Sequence, residues 1–347
     1  MADPAPDWNL KKVRAPQALK LLPRLRGKIN WQEIEVAHID TGITEHSTFG
    51  RWSNHTSPFV RIGPGQNLLE EGDQPFDPLT DKGSPGHGTR IASVLCGLPV
   101  AGSKFAGGVA PGLPIVPYRT ITSVVAFNKK AQTRIARAIE HAVDHHCDVI
   151  SMSLGSPMVI LPSPSRLGQA VDKAYEAGII VVAAGGQTTE HVTYPGKFSR
   201  TIGVGGTRPN DRYYWKYSLR SAPWIDVWAP GYKVIRASSI LDNAGNRQES
   251  NDKAGKGSSY ATVHVAAAAA MWLAYHGETK LERAYRMRWQ RIEAFRSLIG
   301  STSSPMKGSY WPTEPAGILN IEKLLEADLP PADTLDREQR RAELEWQ

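Results

Sequence analysis

Three residues in separate short motifs carry the side chains of an activated nucleophile. Asp40 lies in HIDTG, His87 in GHGTR and Ser259 in GSSYATVHVA. A serine hydroxyl is a weak nucleophile until an adjacent base takes its proton, and a histidine base is held in the correct tautomer by a carboxylate. These residue types predict acyl transfer to water, with Ser259 as nucleophile, His87 as base and Asp40 as the group that orients the imidazole.

Each residue alone also has an ordinary structural interpretation, as a strand-end turn, a loop histidine or a helix cap. Their order along the chain is more informative, because Asp, His, Ser is the subtilisin arrangement and differs from two unrelated triad orders. The segments EVAHIDTGI, HGTRIASVL, DVISMSLGSP, AVDKAYEAGIIVVAAGG and IDVWAPG follow one another between and around the three motifs. The chain therefore resembles the subtilisin-like serine peptidases, from about Trp8 to Asp328.

The resemblance implies an α/β fold with a doubly wound, mostly parallel central sheet and helices on both faces. The apolar pattern agrees, because buried-strand runs alternate with segments of helical spacing. Five strands are predicted at Glu35–Ile39, Ile115–Tyr118, Asp148–Leu154, Gly178–Ala184 and Thr201–Gly205, and two helices at Thr133–His145 and Ser165–Ala177.

The predicted elements explain how the three residues are positioned. Asp40 follows a strand, and ligands of open α/β sheets bind at the carboxyl ends of strands. His87 and Ser259 precede helices that we expect from Ile91 and Tyr260 onward. A helix N-terminus carries about half a positive charge, which favours a developing oxyanion and a neutral imidazole.

The oxyanion site departs from the family. Most members have Asn in a segment AAGN, whereas this chain has Gly186, so a side-chain donor is missing there. The amide of Gln187, the Gly186 N–H or a water are the alternatives that complete the site. Other departures are Arg90 and Ile91 where His-Val is usual, and Val263 in place of Pro.

The resemblance also implies where a peptide binds. Subtilisins hold the substrate as an extended strand between two protein strands. One is expected at Ser153, Leu154 and Gly155 and the other near Ser123–Ala126. The floor of the first specificity pocket is expected at Thr193, where many relatives have Gly, and its rim at Gln187. We expect a preference for medium-sized uncharged residues.

Length and composition favour one large domain. The chain has 347 residues, of which 41% are hydrophobic, and this is enough for a sizeable core. We expect a peptidase domain over residues 1–328 and a charged tail over 329–347, whose last fifteen residues are a solvated helix or disordered. The net charge of +7 comes without a polybasic run. We therefore expect a polypeptide substrate and neither nucleic acid nor a membrane as partner.

The N-terminal residues and the cysteines indicate the cellular location, and the spacing of acidic and histidine residues bears on metal binding. The first thirty residues lack an apolar signal region and only two cysteines occur, so a cytoplasmic location is expected. No cofactor and no metal site is expected. The acidic cluster Asp73, Asp77, Asp81 is interpreted as a solvated loop, His141, His145 and His146 as structural or surface histidines, and the arginine-rich segment Lys280–Arg296 as a surface helix over an aromatic stripe.

One alternative from a different class remains open at this point. Gly186 in the oxyanion site is compatible with a pseudoenzyme or slow peptidase whose cleft binds a peptide segment of a partner protein. The intact Asp40, His87 and Ser259 favour a serine endopeptidase.

Overall fold

A computed structural model describes residues 3–31, 34–70, 72, 74–125, 128–158, 165–187, 191–213, 224–307 and 317–345. Its strands are β1 (Arg24–Leu25), β2 (Lys28–Ile29), β3 (Val36–Asp40), β4 (Gln66–Asn67), β5 (Ile115–Arg119), β6 (Val149–Met152), β7 (Ile180–Ala184), β8 (Ile202–Thr207), β9 (Val227–Pro230), β10 (Tyr232–Leu241) and β11 (Arg247–Lys256). Its α-helices are α1 (Trp8–Lys12), α2 (Ala15–Leu21), α3 (His87–Cys96), α4 (Lys129–Asp144), α5 (Arg166–Glu176), α6 (Ser258–His276), α7 (Glu278–Ala284), α8 (Arg288–Ser301) and α9 (Ile321–Glu326).

The centre of the molecule is a seven-stranded sheet in the order β4-β5-β3-β6-β7-β8-β9. All neighbouring strands in it are parallel. Strands such as β3, β6 and β7 are buried along their whole length, as expected when helices cover both faces. The predicted fold class is confirmed, and the ends of the five predicted strands differ from the observed ones by at most two residues.

Helix α6 runs through the core and fixes the position of Ser259. Almost all of its side chains are buried, and it packs against β6, β7, β8, β9 and α3. A helix that is apolar on all sides is stable only when surrounded by protein. The run from Ala266 to Ala270 contributes small side chains, so the sheet and helices approach closely around it.

A long hairpin, β10–β11, was not predicted. It forms a separate antiparallel sheet that packs on α3, and the Ser93 hydroxyl bonds the backbone of Ala237 there. Strand β11 reads RQESNDKAGK and is largely exposed, so it has no apolar alternation to indicate a strand.

The last fifteen residues, described up to residue 345, are mostly exposed as predicted, but they are docked on the fold and form neither a free helix nor a disordered tail. Ala342 is fully buried against α5, and the N–H groups of Ala342 and Glu343 donate to the two oxygens of Asp172 at 2.9 and 3.1 Å. Arg200 also pairs with Asp172, at 2.8 Å. Asp172 thus satisfies two backbone donors and one cation, and this holds the tail on the fold.

The arginine-rich segment forms α7 and α8, with Tyr285 and Phe295 buried. Arg291 and Arg296 are paired with carboxylates, which agrees with the surface-helix interpretation. Within the described ranges, no helix is both long and apolar enough to cross a membrane.

Candidate active site

Asp40 and His87 meet at the carboxyl end of the central strand. Asp40 is the last residue of β3, and His87 is the first residue of α3, after Gly86 with φ of 67°. The His87 Nδ1 atom lies 2.7 Å from Asp40 Oδ1, and the Thr41 N–H donates to the same oxygen at 2.7 Å. Both side chains are buried. Asp40 thus lies at the predicted strand end, and the helix predicted from Ile91 onward begins four residues earlier, at His87 itself.

The charge state of Asp40 fixes the imidazole tautomer. Burial works to raise the pKa of Asp40, but the charge of His87 and its hydrogen bond outweigh burial and hold the pKa below its usual value. An ionised carboxylate only accepts hydrogen bonds. The His87 Nδ1–H therefore donates to Asp40, and Nε2 is left as the basic nitrogen.

A second buried carboxylate supports this pair. Thr41 Oγ1 donates to Asp77 at 2.6 Å and accepts from the Gly88 N–H at 3.0 Å, while the Gly86 N–H donates to Asp77 at 2.7 Å. Asp77 thus ties the residue after Asp40 to the start of the His87 helix. Sequence analysis did not assign this role, and the only signal for it is the threonine of the DTG motif.

Ser259 is the second residue of α6 and lies against the loop after β6. Its hydroxyl donates to the Ser153 carbonyl oxygen at 3.1 Å and not to His87, while the Ser153 hydroxyl donates to the Ser259 carbonyl at 3.0 Å. Catalytic hydrogen bonds of unliganded enzymes often form only with substrate. A hydrogen bond from Ser259 to His87 therefore requires the Ser259 hydroxyl to leave the Ser153 carbonyl.

The Thr193 side chain lies beside Gly186 in the oxyanion region. Gly186 has a φ of 88°, and a Cβ added to it would lie 2.8 Å from Thr193 Cγ2. The Thr193 side chain therefore occupies the space in which a side chain at Gly186 would begin. A side chain at residue 186 and the Thr193 side chain therefore compete for the same space.

Gln187 is anchored to the start of α6. Its Oε1 accepts from both the N–H of Ser258, at 3.0 Å, and the hydroxyl of Ser258, at 2.7 Å. The Nε2 atom lies beside Gly257, where an added Cβ would stand 3.3 Å from it. The amide is thus held next to the residue that precedes Ser259.

The predicted residues of the first substrate-holding segment and the predicted pocket residues line one cavity of about 90 Å³ next to Ser259. Its walls include Ser153, Leu154, Gly155, Gly186, Gln187 and Thr193. Thr193 is nearly buried, and a Cβ at Gly155 would lie 2.3 Å from Thr193 Oγ1. Thr193 thus narrows the cavity between the two glycines.

The two predicted substrate-holding segments lie side by side. The Gly155 N–H donates to the Val124 carbonyl at 3.0 Å, and Val125 forms a parallel bridge with Gly155. Ala126, the end of the predicted segment, lies outside the described residues. A peptide strand that enters between the segments must replace the hydrogen bond between Gly155 and Val124.

The remaining titratable clusters have partners within the protein. The interpretation of the acidic cluster as a solvated loop is wrong for Asp77, which is buried and accepts hydrogen bonds from Thr41 and Gly86. Asp81 pairs with Arg119 at 2.9 Å, and Asp73 lies outside the described residues. His141 bonds the Tyr118 hydroxyl at 2.9 Å. Among the residues that the structure describes, no group of three or more His, Cys, Asp or Glu side chains has a metal-binding arrangement.

Comparison with known proteins places the chain in a family. The model of the subtilase family matches residues 32–310. Subtilisin BL of Lederbergia lenta is 31% identical over 266 residues, which cover 76% of this chain and 82% of that protein. Subtilisin of Bacillus pumilus is 31% identical over 281 residues, covering 79% and 88%.

Solved structures agree on the fold. MycP1, with its N-terminal propeptide removed, superposes with a TM-score of 0.66 at 17% identity, over 94% of this chain and 99% of that one. Fervidolysin from Fervidobacterium pennivorans, a keratinolytic enzyme related to subtilisin, gives 0.65 at 22% identity, over 95% of this chain and 48% of fervidolysin. The chain belongs to the subtilase family and is a serine endopeptidase, so the binding-only alternative is not favoured.

Proposed function

We propose that Asp40, His87 and Ser259 are the catalytic triad of this endopeptidase. The observation that carries the proposal is the 2.7 Å hydrogen bond between His87 Nδ1 and Asp40, which leaves Nε2 as the base. Ser259 Oγ attacks the substrate carbonyl as His87 takes its proton, and His87 then returns the proton to the leaving amine. Water releases the acyl group by the same route in reverse.

The oxyanion is stabilised by the Ser259 N–H and by the Nε2 amide of Gln187. The Ser259 N–H is one of the unpaired donors at the start of α6 and points toward developing negative charge. Gln187 has its oxygen fixed by Ser258, so its amide nitrogen has a restricted position near the nucleophile. Preorganised donors of this kind stabilise the transition state without reorganisation.

The substrate is an extended polypeptide that inserts between Ser153–Gly155 and Ser123–Val125. Main-chain hydrogen bonds then give affinity with little sequence demand. The side chain before the cleaved bond enters the cavity of about 90 Å³ that Thr193 narrows. This cavity favours uncharged side chains of small or medium size, such as Ala, Leu and Met, over Phe, Tyr or basic residues.

Labelling with a fluorophosphonate tests the triad. Folded wild-type protein is expected to be labelled at Ser259, and both Ser259→Ala and His87→Ala are expected to lose the label. Absence of labelling in folded wild-type protein would contradict the proposal.

Thr193→Gly tests the specificity pocket. Removal of the Thr193 side chain deepens the cavity, so cleavage after Phe and Tyr should rise relative to cleavage after Leu. One or two methylene groups in an apolar pocket discriminate by about 1–3 kcal/mol, so we expect a graded change. A peptide-library profile measures it, and a wild-type profile dominated by aromatic or basic residues would refute the proposal.

We infer a cytoplasmic location from the cysteines. Cys96 and Cys147 are both free and buried, and burial raises the pKa of the Cys147 thiol to about 12. A protein with unpaired, unreactive thiols suits a reducing compartment. Fractionation of cells that make the protein tests the inference.

A further inference from the structure

Two arginines lie beside the residue that follows the nucleophile. Arg90 is one turn along α3 from His87, and Arg236 lies in β10, which packs on α3. Tyr260 is buried between these elements, and burial raises its pKa, while the charges of Arg236 and Arg90 and their hydrogen bonds to the phenol oppose that rise. The phenol is thus a neutral hydrogen-bond partner of both arginines and supplies no counter-charge. The phenol ring fits only because β11 has Gly255 above it, where a Cβ would lie 2.1 Å from the ring.

Neither arginine has a carboxylate partner among the described residues. Arg90 Nη1 donates to the Pro85 carbonyl at 2.6 Å. The Nε and Nη1 atoms of Arg236 are buried without a hydrogen-bond partner in the described part of the chain. Burial, together with the charge of Arg90, lowers the pKa of Arg236. A buried charge without a counter-charge is costly, so this cluster has an unmet need for an anion.

Three other arginines that are fully or partly buried obtain their counter-charges from carboxylates of the protein. Each of the three following arginines pairs with two carboxylates: Arg119 with Glu70 and Asp81, Arg200 with Asp172 and Glu176, and Arg296 with Asp226 and Glu293. The lack of a carboxylate partner therefore sets Arg90 and Arg236 apart from these three arginines.

The position of Arg90 and Arg236 relative to the cleaved bond indicates which residue of the substrate they would contact. The cavity for the residue before the cleaved bond lies on the Gly186 and Thr193 side of Ser259. In the proposed mechanism His87 returns a proton to the leaving amine, so the residue after the cleaved bond passes along the His87 side. Arg90 lies on that side, one helical turn away.

We propose that Arg90 and Arg236 form a subsite for an acidic side chain at the substrate position immediately after the cleaved bond. This inference rests on the proposed triad and extends it to substrate selection. The carboxylate of a Glu or Asp supplies the counter-charge that the protein itself does not provide. One hydrogen bond to a charged group corresponds to about a 10- to 100-fold preference over the uncharged isostere.

Two quenched peptides that differ only in Glu or Gln at that position test the proposal. Mass spectrometry verifies the cleaved bond, and the ratio of their kcat/KM values is the readout. Wild type is expected to favour Glu by about 10- to 100-fold. Arg236→Gln and Arg90→Gln should each reduce the ratio toward one, and Arg236→Lys should keep part of it. Arg51→Gln, the same charge change at an exposed arginine, should leave the ratio intact.

A wild-type ratio near one, or a ratio that neither Arg90→Gln nor Arg236→Gln changes, would overturn the proposal. If the protein cleaves no peptide, the proposed triad fails, and binding becomes the readout. Ser259→Ala should then bind the fluorescent Glu peptide more tightly than the Gln peptide, and Ser259→Ala with Arg236→Gln should not. Equal binding of both peptides to Ser259→Ala would also overturn the subsite.

Discussion

The two halves of the active site are held in different ways. Asp40 and His87 lie in a closed network, with Thr41 and Asp77 joining the end of β3 to the start of α3. Ser259 lies in a half whose groups are engaged with one another, because its hydroxyl bonds Ser153 and the Gln187 oxygen bonds Ser258. The acid–base half is therefore ready before substrate binds, whereas the acyl half must exchange hydrogen bonds when substrate arrives.

The largest expected effect comes from removing the Ser259 hydroxyl from one half of the active site or the His87 imidazole from the other. Ser259→Ala and His87→Ala should each lower kcat by about 10⁴- to 10⁶-fold, because the proton that Ser259 loses is the one that His87 takes. The double variant should be little worse than either single variant. Steady-state cleavage of one quenched peptide measures all three, and losses that multiply would show that the two residues act independently.

The next effect separates two roles of Gln187 in the acyl half. Gln187→Ala should lower kcat by up to about 10²- to 10³-fold, which is the typical loss when one oxyanion donor is removed from a serine peptidase. Gln187→Glu keeps an oxygen for Ser258 but has no amide donor. If Nε2 is the oxyanion donor, Gln187→Glu is as slow as Gln187→Ala, whereas near wild-type turnover of Gln187→Glu would limit the residue to supporting Ser258.

The pH dependence of stability distinguishes the two halves, because helix α6, which carries Ser259, contains a buried neutral histidine. His264 Nδ1–H donates to the Tyr260 carbonyl at 2.6 Å, and its Nε2 accepts from Asn9 at 3.1 Å. Burial lowers the pKa of His264 to about 4, from about 6.5 in the unfolded chain. The unfolded state therefore binds more protons between these pH values, and stability falls as the pH drops from 6.5 toward 4.

This contribution is on the order of 3 kcal/mol by proton linkage. Urea unfolding at pH 7 and pH 4 measures it in wild type and in His264→Gln, which should lose less stability on acidification. Equal losses in the two proteins would show that His264 does not carry this pH dependence.

The smallest effect concerns restoration of the family's asparagine. Gly186→Asn should not raise kcat, because the new side chain meets Thr193 at 2.8 Å and should cost about 1–3 kcal/mol of folding stability. Gly245→Asn is the matched control, since Gly245 has a similar φ of 83° with open space around it. Gly186→Asn with Thr193→Gly removes the clash and should recover stability relative to Gly186→Asn; equal unfolding midpoints for these two proteins would contradict the steric account.

The apolar pattern and the family resemblance predicted five of the seven strands of the central sheet, the position of Asp40 at its carboxyl end, and helices that begin within four residues of the observed starts at His87 and Ser258. They succeeded there because apolar periodicity and short glycine-containing motifs are local signals. Neither predicted the β10–β11 hairpin or the docked tail, because their polar residues are stabilised by distant partners such as Glu45, Asp172 and Arg200.

The sequence by itself determined the reaction class, since the order of the Asp40, His87 and Ser259 motifs and the segments around them identify the subtilase family. Only the tertiary structure decided what surrounds that chemistry. It placed Thr193 in the space beside Gly186, fixed Gln187 on Ser258, gave Asp77 its supporting role and brought Arg236 to Arg90, 146 positions away in the chain. These contacts join residues far apart in the sequence, and their distances and missing counter-charges arise only when the sheet, α3 and α6 pack together.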